Sequence, residues 1–227
     1  MSHFFSRVLV GTTLLLAGCD SSADTDGYKQ VDCSYWWSRQ PLFEDLRPAA
    51  GLDAVQVRGT REQPPSEGPA SGSIASWGQA CSTATDVPAC QAAVEAARPS
   101  EGFHSSCYAD ACSYHFLLTT QGDQVRTHST PASVREVLGT IDTEQEAVLM
   151  VYAMGYDFLC YDVDQGGVKA NVDGSFDVIG FRGIQCDGDI PITQHVFHVP
   201  ASGEVREMES HVLQGGDETC GPPGAPP

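Results

Sequence analysis

Three aspartates come closest to a metal-binding pattern. Asp162, Asp164 and Asp173 occupy the first, third and twelfth places of a twelve-residue stretch with Gly167 at its sixth place. Carboxylate oxygens spaced in this way around a glycine turn suit a hard cation, so calcium is the one cofactor the sequence suggests. Against this, Gly166 stands where a third side-chain ligand belongs, Lys169 takes a position that is usually apolar, and the flanks alternate like strands. A polar hairpin turn in an acidic chain has the same composition. His195 and His198 are three residues apart, but ITQHVFHV alternates like a strand, which sends them to opposite faces and not to a shared metal. Tyr35, Trp36 and Trp37 cluster beside Cys33, either as aromatic anchors for a partner or as a core patch packed on a disulfide.

No catalytic residue is assigned. There is no G-x-S-x-G, no H-E-x-x-H and no phosphate-binding G-x-x-x-x-G-K-[ST], and Lys29 and Lys169 are the only lysines. His104, His115, His128 and His211 are scattered. The charge excludes more than the motifs do. Twelve basic residues against 30 acidic ones give a net charge of −18 over 227 residues. Such a chain repels phosphate backbones and anionic headgroups, so neither nucleic acid nor a membrane held by a basic patch is expected as partner.

The first 19 residues, MSHFFSRVLVGTTLLLAGC, carry Arg7, an apolar run over Val8–Leu16, then Leu16-Ala17-Gly18-Cys19. The run is too short to span about 30 Å of hydrocarbon and reads as a signal peptide. With a cysteine directly after small residues, it resembles the lipobox of bacterial lipoprotein precursors. The resemblance covers residues 1–19 only. It implies cleavage before Cys19, a diacylglyceryl group on its thiol and an acylated amino group. The membrane is then a partner through the Cys19 lipid, stably so because each buried CH₂ adds about 0.8 kcal/mol. The location implied is the bacterial cell envelope, at the outer membrane or the periplasmic face of the inner one. The 162–173 stretch resembles, more distantly, an EF-hand loop.

Without Cys19, eight cysteines remain: Cys33, Cys81, Cys90, Cys107, Cys112, Cys160, Cys186 and Cys220. An even number in an exported chain implies a disulfide framework, and eight permit 105 pairings. Local pairs are expected, Cys160–Cys186 first among them. The absence of C-x-x-C argues against zinc and against a thioredoxin-like site.

These residues need elements to hold them. Asp86-Val87-Pro88 opens a helix rich in alanine, Thr130-Pro131 opens another through Leu138, and Thr143 with Glu146 forms a capping box for a third over 144–154. That third helix places Ala147, Val148, Val151 and Met154 on one stripe. A short helix near 41–47 and a strand near 53–58 are expected. Strands follow at 114–119, 124–128, 156–161, 168–172, 176–182, 192–199 and 204–210, with Gly-containing turns between several of them. The fold class is α+β, an antiparallel sheet with one or two packed helices, stapled by disulfides. The chain divides into a signal peptide (1–18), a flexible tether (19–32), one domain (33–214) with a loop or lobe boundary at 60–73, and a disordered tail (215–227). The expected role is a membrane-anchored, non-enzymatic binding or scaffold component with an unidentified protein partner. An envelope hydrolase, a calcium-dependent adhesion or sensing module, and a lipid-anchored effector or toxin are the alternatives.

Overall fold

The computed structural model describes residues 22–33, 40–61, 70–108, 111–183 and 191–214. In chain order the elements are β1 (Lys29–Gln30), β2 (Ala54–Arg61), β3 (Ala70–Gly78), α1 (Val87–Ala96), β4 (Phe103–Tyr108), β5 (Ala111–Gln121) and β6 (Gln124–His128). They continue with α2 (Pro131–Leu138), α3 (Glu144–Ala153), β7 (Gly167–Ala170), β8 (Phe176–Arg182), β9 (Ile192–Val199) and β10 (Arg206–Gln214). The strands make two antiparallel sheets. One runs β1-β7-β8-β9-β10; the other runs β3-β2-β5-β4, with β6 also paired to β5. The fold is therefore α+β and disulfide-stapled, with two sheets where the sequence suggested one.

The central helix shows why a second sheet is needed. Every residue from Glu146 to Ala153 is buried. A helix apolar all round must be covered all round, and α3 touches β7, β8 and β9 of one sheet and β4 of the other. One core joins Val55, Val57 and Leu117 on one side of α3 to Val168, Val178 and Phe197 on the other. The single stripe expected from the sequence was too narrow.

The start of α3 is fixed by polar chemistry. Thr143 Oγ1 accepts from the Glu146 amide at 3.1 Å, and Glu146 Oε2 accepts from the amides of Thr143 and Asp142 at 3.2 and 3.0 Å. The other Glu146 oxygen accepts from the Arg47 amide, and Gln145 Oε1 accepts from the Asp45 amide at 2.8 Å. These bonds replace the expected helix at 41–47. The Asp45 and Arg47 amides are satisfied by side chains of α3, the Leu42 amide donates to the Asp32 carbonyl at 2.8 Å, and the segment runs irregularly with Phe43 and Leu46 buried.

Three further expectations are corrected. The loop expected over 60–73 is strand at both of its ends, residues 60–61 in β2 and 70–73 in β3, and β3 pairs with β2 from Ala54↔Gly78 to Arg61↔Ala70. No strand forms over 156–161, where only the bridge Asp157↔Phe181 occurs. The tether is shorter than 19–32, because Ala23 and Val31 are buried and β1 pairs with β7. The 215–227 tail lies outside the described residues.

The outer faces are also covered. On the first sheet, Ala23 and Tyr28 pack on Ile179 and Val196. On the second, α1 lies over the face bearing Arg58 and Phe116, where Arg58 donates to the Val94 carbonyl at 2.6 Å. Asp86 caps α1 by accepting from the Ala89 amide at 3.0 Å. The layers thus run: N-terminal segment, first sheet, α2 with α3, second sheet, α1.

Candidate functional site

Strand β5 brings two hydroxyl–imidazole pairs onto one face. Residues alternate across a strand, so His115, Leu117 and Thr119 point inward together, with Leu117 in the central core. At one end His115 Nδ1 meets the Tyr152 hydroxyl at 3.2 Å. The His104 ring stacks on Tyr152, centroids 3.8 Å apart, and its Nε2 lies 3.3 Å from Asp157 Oδ1. His104 sits at a bulge between Phe103 and Ser106 with φ +48°, a strained conformation for a residue with a Cβ. Gly102 makes this approach possible, since a Cβ there would run into the His115 carbonyl. Burial pulls the His115 imidazole down to about 4 and pushes the Tyr152 phenol up. At neutral pH His115 is uncharged, and Tyr152 stays protonated. His104 Nδ1 is buried and has no hydrogen-bond partner among the described residues.

At the other end the strand opens into a groove. Thr119 Oγ1 and His128 Nε2 share a hydrogen bond of 2.9 Å. The groove, about 220 Å³, lies between the β5–β6 hairpin and α2. Ala49, Ala50, Leu52 and Val137 supply its apolar wall; Thr119, His128, Arg126 and Glu136 supply its polar groups. The Ala49 amide donates to the Val137 carbonyl at 2.9 Å and fixes that wall to α2. Burial lowers the His128 pKa, an effect Glu136 opposes and Arg126 adds to. A neutral imidazole beside a hydroxyl, a guanidinium and a carboxylate can bind a small polar group. Neither pair follows from spacing in the sequence. His128 ends β6, Thr119 is near the end of β5 and Glu136 is on α2, and only the hairpin and the α2 packing bring them together.

The residues singled out from the sequence are dispersed. Asp162 and Asp164 lie in the turn before β7, where Asp162 Oδ1 accepts from the Asp164 amide at 3.0 Å. Asp173 lies in the turn after β7 and accepts from the Ser175 amide and hydroxyl at 3.0 and 2.6 Å. The three aspartates flank the strand instead of converging. Among the described residues no three His, Cys, Asp or Glu side chains are grouped as a metal ion requires. His195 pairs with Glu207 at 2.8 Å and His198 with Asp177 at 2.9 Å, on opposite faces of β9 as expected. Cys19, Tyr35, Trp36, Trp37, Cys186 and Cys220 lie outside the described residues.

The disulfides correct the expected pairing. Cys160 bonds to Cys33, not Cys186, with Cα atoms 5.8 Å apart. The reason is the irregular 156–166 segment, which folds back beside the chain leaving β1, where the Val31 amide donates to the Gly166 carbonyl at 2.9 Å. The second bond is the local Cys81–Cys90. On β4 and β5 the register sets Cys107 opposite Cys112.

Among the described residues no helix is long and apolar enough to cross a membrane. Comparison with protein families, curated proteins and solved structures finds no match.

Proposed function

We propose that the chain is a lipid-anchored lipoprotein of the bacterial envelope that acts by binding, with the groove between α2 and the β5–β6 hairpin as its ligand site. The observation that carries the binding reading is the half-buried imidazole of His128, held by Thr119 on a groove wall that also offers Arg126 and Glu136. The volume suits a small polar group or a peptide side chain. The two disulfides favour an oxidising compartment, in keeping with the lipobox-like segment.

The test is cross-linking and co-purification of the lipidated chain from its own membranes, wild type beside Arg126→Ala/His128→Ala. A partner captured by the first and lost by the second supports the groove. A partner held equally by both moves the binding site elsewhere, and no partner removes the reading. Cys19→Ser tests the anchor separately: the variant is expected to leave the membrane fraction. A hydrolytic reading draws on the same 2.9 Å Thr119–His128 contact. It requires a fluorophosphonate adduct on Thr119, which binding does not.

A further inference from the structure

The segment behind the lipid attachment site is part of the fold almost from its first residue. Ala23 is buried, and its amide donates to Gln194 Oε1 at 2.7 Å. Gln194, the third residue of β9, is fully buried, and its Nε2 donates to the Asp164 carbonyl at 2.7 Å. One satisfied amide therefore pins both the N-terminal segment and the 162–165 turn to the outer face of the first sheet. From Ala23 the chain turns at Thr25–Tyr28, with Gly27 at φ +80°, and enters β1. Lys169 Nζ stands 4.5 Å above the Tyr28 ring. Only residues 20–22 lie between Cys19 and Ala23, and four Cα–Cα steps reach at most about 14 Å. A flexible linker would need many more residues to let the domain rotate freely above a membrane.

The same face carries charges of both signs: Asp177 lies 3.7 Å from Lys169 and 2.9 Å from His198. Asp24 and Asp26 are exposed on the N-terminal segment. Burial raises the Tyr28 hydroxyl to about 12, and Asp177, Glu209 and Asp24 add to the effect. Exposed carboxylates disfavour an anionic lipid surface, whereas a face bearing both carboxylates and an ammonium matches the ammonium and phosphate groups of zwitterionic headgroups.

We propose that this outer face of the β1-β7-β8-β9-β10 sheet lies against the bilayer, held over zwitterionic headgroups by the three-residue leash from the Cys19 lipid. The inference rests on the lipoprotein reading above. It leaves α1, four layers of about 10 Å away, as the surface that points from the membrane. The α2 groove then lies at mid-height, open sideways.

The experiment uses the full lipidated chain in phosphatidylethanolamine–phosphatidylcholine vesicles carrying a headgroup spin label. A fluorescent non-canonical amino acid replaces Asp26 in one sample and Glu95, exposed on α1, in another, so that no thiol chemistry touches the disulfides. Quenching at position 26 is expected to exceed that at position 95 at least five-fold. Inserting 20 Gly/Ser residues between Ser21 and Ser22 is expected to bring position 26 down to the level of position 95. Equal quenching in the native-length chain, or no change on insertion, overturns the orientation. A purified chain whose mass lacks the lipid overturns the lipoprotein reading itself, independently of either quenching result.

Discussion

His115 and Thr119 stand four residues apart on the same face of β5, and each joins an imidazole to a hydroxyl. At His115 the partner is Tyr152, supplied by the helix buried between the sheets, and the pair is packed against His104 and Phe103. At Thr119 the partner is His128 on the neighbouring strand, and no helix closes over it: α2 stands off by the width of a groove. Burial lowers both imidazoles, His115 to about 4 and His128 in the same direction. The pairing chemistry is thus shared and the access differs. A closed pair ties layers together, whereas an open one can exchange its partner for a ligand. What fills the space beside a polar pair decides whether it is part of the framework or part of a site.

That contrast fixes what should be measured. Tyr152→Ala removes a buried aromatic that touches β4, β5 and the 157–158 segment, and is expected to cost about 3–5 kcal/mol in urea unfolding. A loss below about 1 kcal/mol would show that the closed end does not carry the framework.

Acidification comes next. The folded chain holds His115 neutral down to about 4, while the unfolded chain takes up a proton near the ordinary 6.5. Stability is therefore full above pH 6.5 and falls as pH drops toward 4, by about 3 kcal/mol for this group. His128, lowered too, adds to the fall in the same direction. Urea midpoints measured from pH 7.5 to 4 check the slope, and His115→Gln should flatten most of it. An unchanged slope in that variant assigns the acid sensitivity to other groups.

Removing the Cys81–Cys90 bond, which clamps α1 beside the open end, is expected to cost about 2 kcal/mol. It should leave the His115 NMR titration where it was; a moved His115 would mean that the two ends are mechanically coupled. The smallest change is Thr119→Val, at about 1 kcal/mol. Its diagnostic readout is the His128 titration, which is expected to shift while that of His115 does not.

The sequence announces its elements where the cause is local. Asp86 before Val87-Pro88, the Thr143/Glu146 box, and the bounds of β8 and β9 all follow from neighbouring residues, and the structure has each of them. It misleads where distant groups decide. Phe43 and Leu46, spaced as on a helix, belong to a segment whose amides bond to Gln145 and Glu146 about a hundred residues away. The Gly- and Ser-rich ASGS that ends the 60–73 stretch reads as a loop, yet it opens an edge strand held by its ladder to β2. The groove was invisible for the same reason: Thr119, His128 and Glu136 share no spacing, only a hairpin and a helix packed against it.

The Cys33–Cys160 bond spans 127 residues and encloses the whole Cys81–Cys90 loop. A chain that enters an oxidising compartment N-terminus first presents Cys33 to Cys81 and Cys90 long before Cys160 arrives. Vectorial oxidation in order of appearance would join the wrong partners. The nested connectivity demands either that Cys33 stay reduced until the second half of the chain has emerged, or that a mispaired Cys33 be exchanged out. In the second case, yield of native protein in an oxidising compartment depends on a disulfide isomerase, and a strong oxidant acting alone accumulates scrambled chains.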